Sequence, residues 1–351
     1  MRFLEEQPED HGSNITTLAA LALREEVLGF RFDYPLEIVS QAGPKESLEY
    51  YLYSDRLSWD VMRLDEVGIP RVWRRTTGAV YRPGFIAWWG LVNLGHYLRH
   101  RDQVSLDVFV NQLNWLEQNA VHRADGAVVW PMNFDCREGR TLLKAPWLSC
   151  NSQGLAISAL VRGYRLTGRP ALLRILQGTA KIFQLDAQQN GVRILIDGHV
   201  FYTEIPGGPS PGVLDGFLTS LLGLYDLFVE TGDPVGGKLF WDGLEGLKQL
   251  LPRWDHHKKW SWYGAHAYLC PPPYHCLNRV LLTVLARIAN EPLLQAYAST
   301  WDPNRLSSVD RTRIFLRFVY TKNACRVRNK TWQQSSAIAE LSKSAGTPSP
   351  L

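Results

Sequence analysis

Four pairs of apolar stretches with helical spacing follow one another along this chain, and so few residues join the members of each pair that its two helices must run antiparallel. The pairs cover 83–100 with 104–121, 152–167 with 170–185, 213–231 with 234–251, and 275–289 with 291–301. Their inner turns resemble one another. HYLRHRD, GYRLTGRP, LFVETGDP and RIANEP each end one helix and begin the next, with proline at the first helical position in three of them. A helical hairpin with two apolar faces cannot bury both alone, so hairpins of this kind stack side by side. If the stack curls, the result is a mainly α protein, an incomplete α/α toroid of about four helical hairpins. The longer connections, 122–151, 186–212 and 252–274, then converge on the rim opposite the tight turns. Short β-hairpins are predicted in two of them, from AVVWPMNF and from VRILI and VFYTEI around DGH. Polar residues of that rim are site candidates by position, although loops are polar for many reasons.

The stretch VFYTEIPGGPSPGVLDGF, 200–217, is the most informative rim segment. Tyr202, Thr203 and Glu204 come directly before a run of prolines and glycines that can continue neither a helix nor a central strand. Leu214, Phe217, Leu218, Leu221 and Leu222 then recur at helical spacing, so the braced turn is held beside a helix start. A carboxylate fixed there can be desolvated and its pKa raised towards the working pH. The competing reading is a surface loop whose glutamate faces water.

At 351 residues, 45% hydrophobic and 21% charged, the chain has globular composition. The net charge of +4 is too small for a nucleic-acid footprint and suits an acidic polymer. Five cysteines match neither a zinc template nor a disulfide framework, so no metal is expected and reduced thiols are. The amino terminus carries acidic residues where a classical signal peptide would be basic, and the apolar segment 15–23 is too short to span a bilayer. A cytoplasmic or peripherally membrane-associated protein is expected. Residues 1–49 read as a lead segment with a short helix near 16–28 and a linker. Residues 50–301 hold the four helical hairpins. Residues 302–351 form a basic extension in which RTRIFLRFVY is a helix candidate and TPSPL a frayed end.

Four segments together resemble the C-terminal catalytic domain of the D-glucuronyl C5-epimerases: YRPGFIAWWGL (81–91), LKAPWLSCNSQGLAISALVRGYRLTG (143–168), FYTEIPGGPSPGVLDGFLTSLLGLYDL (201–227) and PPPYHCLNRVLL (271–282). The resemblance covers about 50–301. It implies a helical α/α barrel with an active site in a rim groove, acting on glucuronate within heparan-type polysaccharides without a cofactor. Glu204 matches the second glutamate of a family loop similar to WYEEYP, while Ile205 stands where that loop has a catalytic tyrosine. Tyr274 and His275 match a second family tyrosine followed by histidine. Tyr263 matches the tyrosine of a YDL-like motif, but Gly264 and Ala265 follow it, and Asp215 replaces the asparagine of an LNGF motif.

Inverting C5 of a uronate requires a base and an acid on opposite faces of the ring, and cations or hydrogen-bond donors at the carboxyl group as an enediolate develops. Glu204 is the candidate on one face and Tyr274 on the other, with His275 orienting or activating a neighbour. Tyr202 and Tyr263 are candidates for binding sugar hydroxyls or standing in for the missing tyrosine. His266, Tyr81, Arg82, Lys144 and Gln153 are candidates for the substrate's carboxylate, sulfate or hydroxyl groups. Against these stand plainer readings: an aromatic packed at a helix start, a hydrogen-bonded core histidine, solvated rim charges and a helix cap. The run HHKK, 256–259, has the wrong spacing for joint metal ligation and reads as a solvated loop. The expected partner is an acidic polysaccharide or oligosaccharide and not nucleic acid, and a homodimer is a further expectation. A uronate lyase and an inactive glycan-binding homologue are the rival functions.

Overall fold

All four tight turns close in the same way, on one residue with left-handed backbone. The computed structural model describes residues 30–344 apart from 33, 35, 55–61, 75–76, 139–140, 208–211 and 265–267. The segment 16–28 and the terminal TPSPL therefore lie outside the described residues. The first hairpin joins α1 (Pro83–His100) to α2 (Gln103–Gln118), and the second joins α3 (Cys150–Thr167) to α4 (Pro170–Thr179). The third joins α5 (Leu214–Thr231) to α6 (Pro234–Leu250), and the fourth joins α7 (Pro272–Ala289) to α8 (Pro292–Thr300). Arg101, Gly168, Gly232 and Asn290, with φ between 51° and 68°, end the first helix of each pair, and each donates its N–H to the carbonyl four residues back. The next helix then starts at once, because Asp102, Asp233 and Glu291 accept its free first-turn amides.

The inner helices α1, α3, α5 and α7 contact one another in sequence, while each outer helix lies on its own partner. α3 is buried continuously from Ser152 to Gly163 and α5 from Leu214 to Leu224, as befits helices enclosed by others, and both bury polar as well as apolar side chains. α3 and α5 meet through bare backbone: a Cβ on Gly154 would fall 2.6 Å from the Ser220 Cα, and one on Gly223 would fall 2.4 Å from the Gly154 carbonyl oxygen.

Further along the same two helices lies a fully enclosed ion pair. The Arg162 guanidinium donates to Asp226 (2.6 Å) and to the carbonyls of Ser158, Leu48 and Glu49, and the Tyr51 hydroxyl donates to the other oxygen of Asp226 (2.6 Å). With both charges removed from water, each partner's hydrogen bonds are what make the burial tolerable. The pair also ties residues 48–51 to the helical core.

Small antiparallel strand pairs occupy the long connections. Val121–His122 pairs with Val128–Val129, Cys136–Glu138 with Thr141–Leu143, Arg193–Ile196 with His199–Tyr202, and Asp255–His256 with Trp260–Ser261. A three-stranded sheet, Met62–Leu64, Pro70–Arg74 and Gly78–Val80, precedes α1 and was not expected from the mixed pattern there. After the last hairpin, α9 (Ser308–Ser344) buries Ile314 and Phe318 against Trp260, Leu269 and Leu306. Among the described residues no helix is long and apolar enough to cross a membrane.

Removing one member of the enclosed pair strands the other. Asp226→Ala is expected to lower the unfolding free energy by about 3–5 kcal/mol in urea denaturation; a loss below about 1 kcal/mol contradicts the structural role assigned to the pair.

Candidate active site

Glu204 owes its position to a turn pinned at both ends. The strand His199–Tyr202 runs into the core because Phe201 and Tyr202 are fully buried. Immediately after it, the Thr203 N–H donates to the Val192 carbonyl (2.8 Å), and the Thr203 carbonyl accepts the Cys150 N–H (3.2 Å) at the first residue of α3. The Ile205 N–H then donates back to Thr203 Oγ1 (3.2 Å). From α3 the Cys150 thiol reaches the carbonyls of Tyr202 (3.2 Å) and Gly216 (3.4 Å), joining the turn to the first turn of α5.

The Glu204 side chain therefore lies against the exposed backbone of Gly216, where a Cβ would fall 2.4 Å from Glu204 Oε2 and 2.9 Å from Glu204 Cβ. Its carboxylate sits over the start of α5, where the unpaired amides and helix dipole favour an anion. Arg82, the residue before α1, brings Nη2 to 4.0 Å from Glu204 Oε1, and its guanidinium lies 5.2 Å from the centre of the Phe85 ring.

Asp215, one residue before Gly216, is a second carboxyl at the same helix start and is 7% exposed. Its Oδ1 is enclosed without a hydrogen-bond partner, and burial pushes its pKa up to about 6 against the pull of the Asp215 and Gly216 amides. Opposite it stand aromatic hydroxyls. Tyr263 packs edge-on to Tyr274 (5.5 Å between ring centres) and stacks on Tyr268 (5.3 Å), over whose ring Lys322 of α9 places its ammonium at 3.9 Å. Burial holds the Tyr263 phenol well above the usual tyrosine range, and the charges of Tyr268, Tyr274, Asp215 and Glu204 push it further the same way. Tyr263 thus stays protonated at neutral pH. Ile205 lines an apolar wall with Met132, Phe134, Trp147, Val213 and Tyr263.

Of the residues singled out in the sequence, Glu204, Arg82, Tyr263 and Tyr274 come together here, and others do not. Tyr202 is fully buried, donates to the Leu239 carbonyl (2.8 Å) and packs on Phe183 and Phe217, so it belongs to the core. His275, one residue and so roughly 100° of rotation beyond Tyr274 on α7, stacks on Trp260 at 3.6 Å. Its Nδ1 accepts the Ser261 N–H (3.1 Å), which leaves Nε2–H to donate to the Trp301 carbonyl (2.9 Å). Burial pushes its pKa down to about 3, so this imidazole is a neutral strut. Both amide atoms of Gln153 are taken by the backbone of Trp130. Tyr81 donates to Asp65 (2.7 Å), and exposed Lys144 pairs with Asp135 (2.6 Å). His266 lies outside the described residues. Asp215, Tyr268 and Lys322 were not among the sequence candidates. For Asp215 the available signal was an acid in the first turn of an otherwise apolar helix. Among the described residues no group of three histidine, cysteine or acidic side chains is disposed to hold a metal ion.

A family model for the D-glucuronyl C5-epimerase C-terminus matches residues 124–303, just over half of the chain. The chain is similar to the D-glucuronyl C5-epimerase of Caenorhabditis elegans, 29% identical over 221 residues that make up 58% of this chain and 35% of that protein. It is also similar to an uncharacterized protein of Methanocaldococcus jannaschii, 25% identical over 178 residues, 50% of this chain and 57% of that one. The chain thus spans about a third of the first relative and somewhat over half of the second. Glu204, Asp215, Tyr263 and Tyr274 all fall inside the matched segment, and Arg82 falls outside it.

Two substitutions test this geometry. Gly216→Ala drives a methyl group into Glu204 and is expected to cost about 1–3 kcal/mol of unfolding free energy; an unchanged urea midpoint contradicts the contact. For Asp215 the folded pKa, about 6, exceeds the unfolded value of about 3.9, so the folded state binds the proton more tightly. The charged carboxyl therefore weakens the fold above pH 6, and that penalty fades as pH falls towards 4. Asp215→Asn is expected to add roughly 2–3 kcal/mol of stability at pH 8 and nothing near pH 4; destabilisation at pH 8 contradicts the assignment.

Proposed function

Because this chain belongs to the D-glucuronyl C5-epimerase C-terminal family, we propose that it is a uronate C5-epimerase-like enzyme, converting D-glucuronate to L-iduronate units of a heparan-type acidic polysaccharide or oligosaccharide. In this reading the catalytic domain spans 50–301, its four hairpins form an incomplete α/α toroid, and the rim carrying Glu204 is the substrate groove. The sequential contact of α1, α3, α5 and α7 supports that arrangement. One observation carries the functional reading: a carboxylate and a group of tyrosines, supplied by different rim connections and by α7, face one another beside an arginine.

Glu204 removes the C5 proton, and the electron pair of the broken C–H bond moves into the adjacent carboxyl group as an enediolate. Arg82 and the protonated Tyr263 stabilise the charge that accumulates there. Tyr274 then gives its hydroxyl proton to C5 from the opposite face, forming the inverted centre, and proton exchange with water restores both residues. Asp215, with its pKa near 6, contributes a neutral carboxyl below that pH that can donate where a charged one cannot.

A second reading has one observation in its favour. Ile205 occupies the position of a tyrosine in the resembling enzymes and is buried in an apolar wall, so it offers no titratable group. A glycan-binding homologue without turnover accounts for that change equally well.

Glu204→Gln and Tyr274→Phe are each expected to lower C5 proton exchange on a glucuronate polymer by about 10²-fold or more while the far-ultraviolet circular dichroism and urea midpoint stay unchanged. Exchange retained by both variants overturns the assignment. Release of an unsaturated uronate absorbing in the ultraviolet would identify elimination instead.

A further inference from the structure

A second charged concavity, of about 510 Å³, opens between the 255–261 strand pair and α9. His256, His257 and Lys259 line one side, and Asp310, Arg313 and Arg317 line the other. Three residues of the HHKK run thus line a cleft, while His257 and Lys258 are exposed as a solvated loop would be.

The charges in this cleft do not balance. Lys259 is paired with Asp310 (2.5 Å), whereas Arg313 and Arg317 have no ion-pair partner among the described residues. They stand one turn apart on a single face of α9, an arrangement that is repulsive without a counter-anion. Among the described residues no carboxylate comes within ion-pair distance of either. The Arg317 guanidinium lies 6.0 Å from the centre of the Trp262 indole and 5.7 Å from that of the Tyr320 ring.

Both walls are firmly set. Ile314, between the two arginines, and Phe318 are buried against Trp260 and Leu269, fixing the rotation of α9. Across from them, His257 and Lys258 are consecutive non-glycine residues with left-handed backbone (φ 54° and 55°), held by Asp255 Oδ2, which accepts the Lys258 N–H (2.9 Å). His256 packs edge-on to Trp262 (5.1 Å), and burial, with the charges of His257 and Arg317 adding, lowers its pKa to about 4, so at neutral pH it offers a hydrogen bond without a charge.

We propose that this cleft binds carboxylate or sulfate groups of an acidic polysaccharide at a position outside the reacting sugar. The proposal deepens the epimerase reading and takes its choice of polymer from it. Trp262, against which Arg317 lies, directly precedes Tyr263 of the candidate active site, so a bound chain engages the two sides of one short segment. Arginine pairs with either anion through its planar fork, and two such forks one helical turn apart suit a polymer with repeated anionic groups better than a single small ion.

The test uses the full chain, a glucuronate-containing octasaccharide and inorganic sulfate, with binding followed by calorimetry at low and physiological salt. Arg313→Gln/Arg317→Gln is expected to bind the octasaccharide about 3- to 10-fold more weakly and with a shallower salt dependence, whereas Arg313→Lys/Arg317→Lys keeps the salt dependence. C5 exchange on a disaccharide should be unchanged in the glutamine variant, while KM for the octasaccharide rises. Octasaccharide affinity and salt dependence unchanged in the glutamine variant overturn the cleft even if exchange occurs. Inorganic sulfate binding as tightly as the octasaccharide also overturns it, in favour of a free anion. Loss of octasaccharide binding in the glutamine variant, with no exchange by any form of the protein, supports the cleft and removes the epimerase reading alone.

Discussion

The contact between α3 and α5 is the constraint from which the arrangement of the site follows. Gly154 and Gly223 remove the side chains that would otherwise hold these helices apart, so their backbones meet within a few ångströms. At that separation the first turns of both helices face the same point. The Cys150 amide and thiol can then reach the carbonyls of Thr203, Tyr202 and Gly216 at once. Beyond the glycine contact the Arg162–Asp226 pair closes the same interface and draws in residues 48–51. A larger residue at either glycine would separate the helix starts and break the seat of Glu204 before it disturbed anything chemical.

This explains how a pair of deeply buried helices holds a polar site. The start of α5 gathers two carboxyl groups with different surroundings. Glu204 lies at the helix start with Arg82 4.0 Å away, a setting that stabilises an anion. Asp215 is enclosed, with one oxygen unpaired, and burial pushes its pKa up to about 6. The tyrosines face them from the 252–274 connection and α7, and their mutual burial keeps Tyr263 protonated. The two carboxyl groups are thereby set apart by environment rather than by residue type. α9 takes part as well, since Lys322 covers Tyr268 and its arginines line the neighbouring cleft.

The helical hairpins were legible because their signals are local. A left-handed C-cap, followed in three of the four by an aspartate or glutamate cap and in three by proline at the first helical position, can be read within a few residues of sequence, and the helix limits fall within a few residues of those expected. What failed was the assignment of polar residues to inside or outside. Tyr202 and Glu204 are two apart and would share a face of a continuing strand, but the Thr203 bonds end the strand between them and only Glu204 turns towards the rim. Tyr274 and His275 are adjacent on α7, and roughly 100° of helical rotation sends one to the site and the other under Trp260. Gln153 carries no local mark that Trp130 will occupy both ends of its amide. Asp215 and the Arg162–Asp226 pair depend on which helix covers which, and that is decided by contacts distant in sequence.

The central claim is that the carboxylate and tyrosines of this rim exchange the proton at C5 of a uronate. The most direct measurement is deuterium incorporation at C5, followed by NMR, when the full chain is incubated in heavy water with a glucuronate polymer such as heparosan. The account predicts loss of the C5 proton signal accompanied by new iduronate resonances. Binding of the polymer with no deuterium uptake would contradict it and identify a glycan-binding protein on the same scaffold.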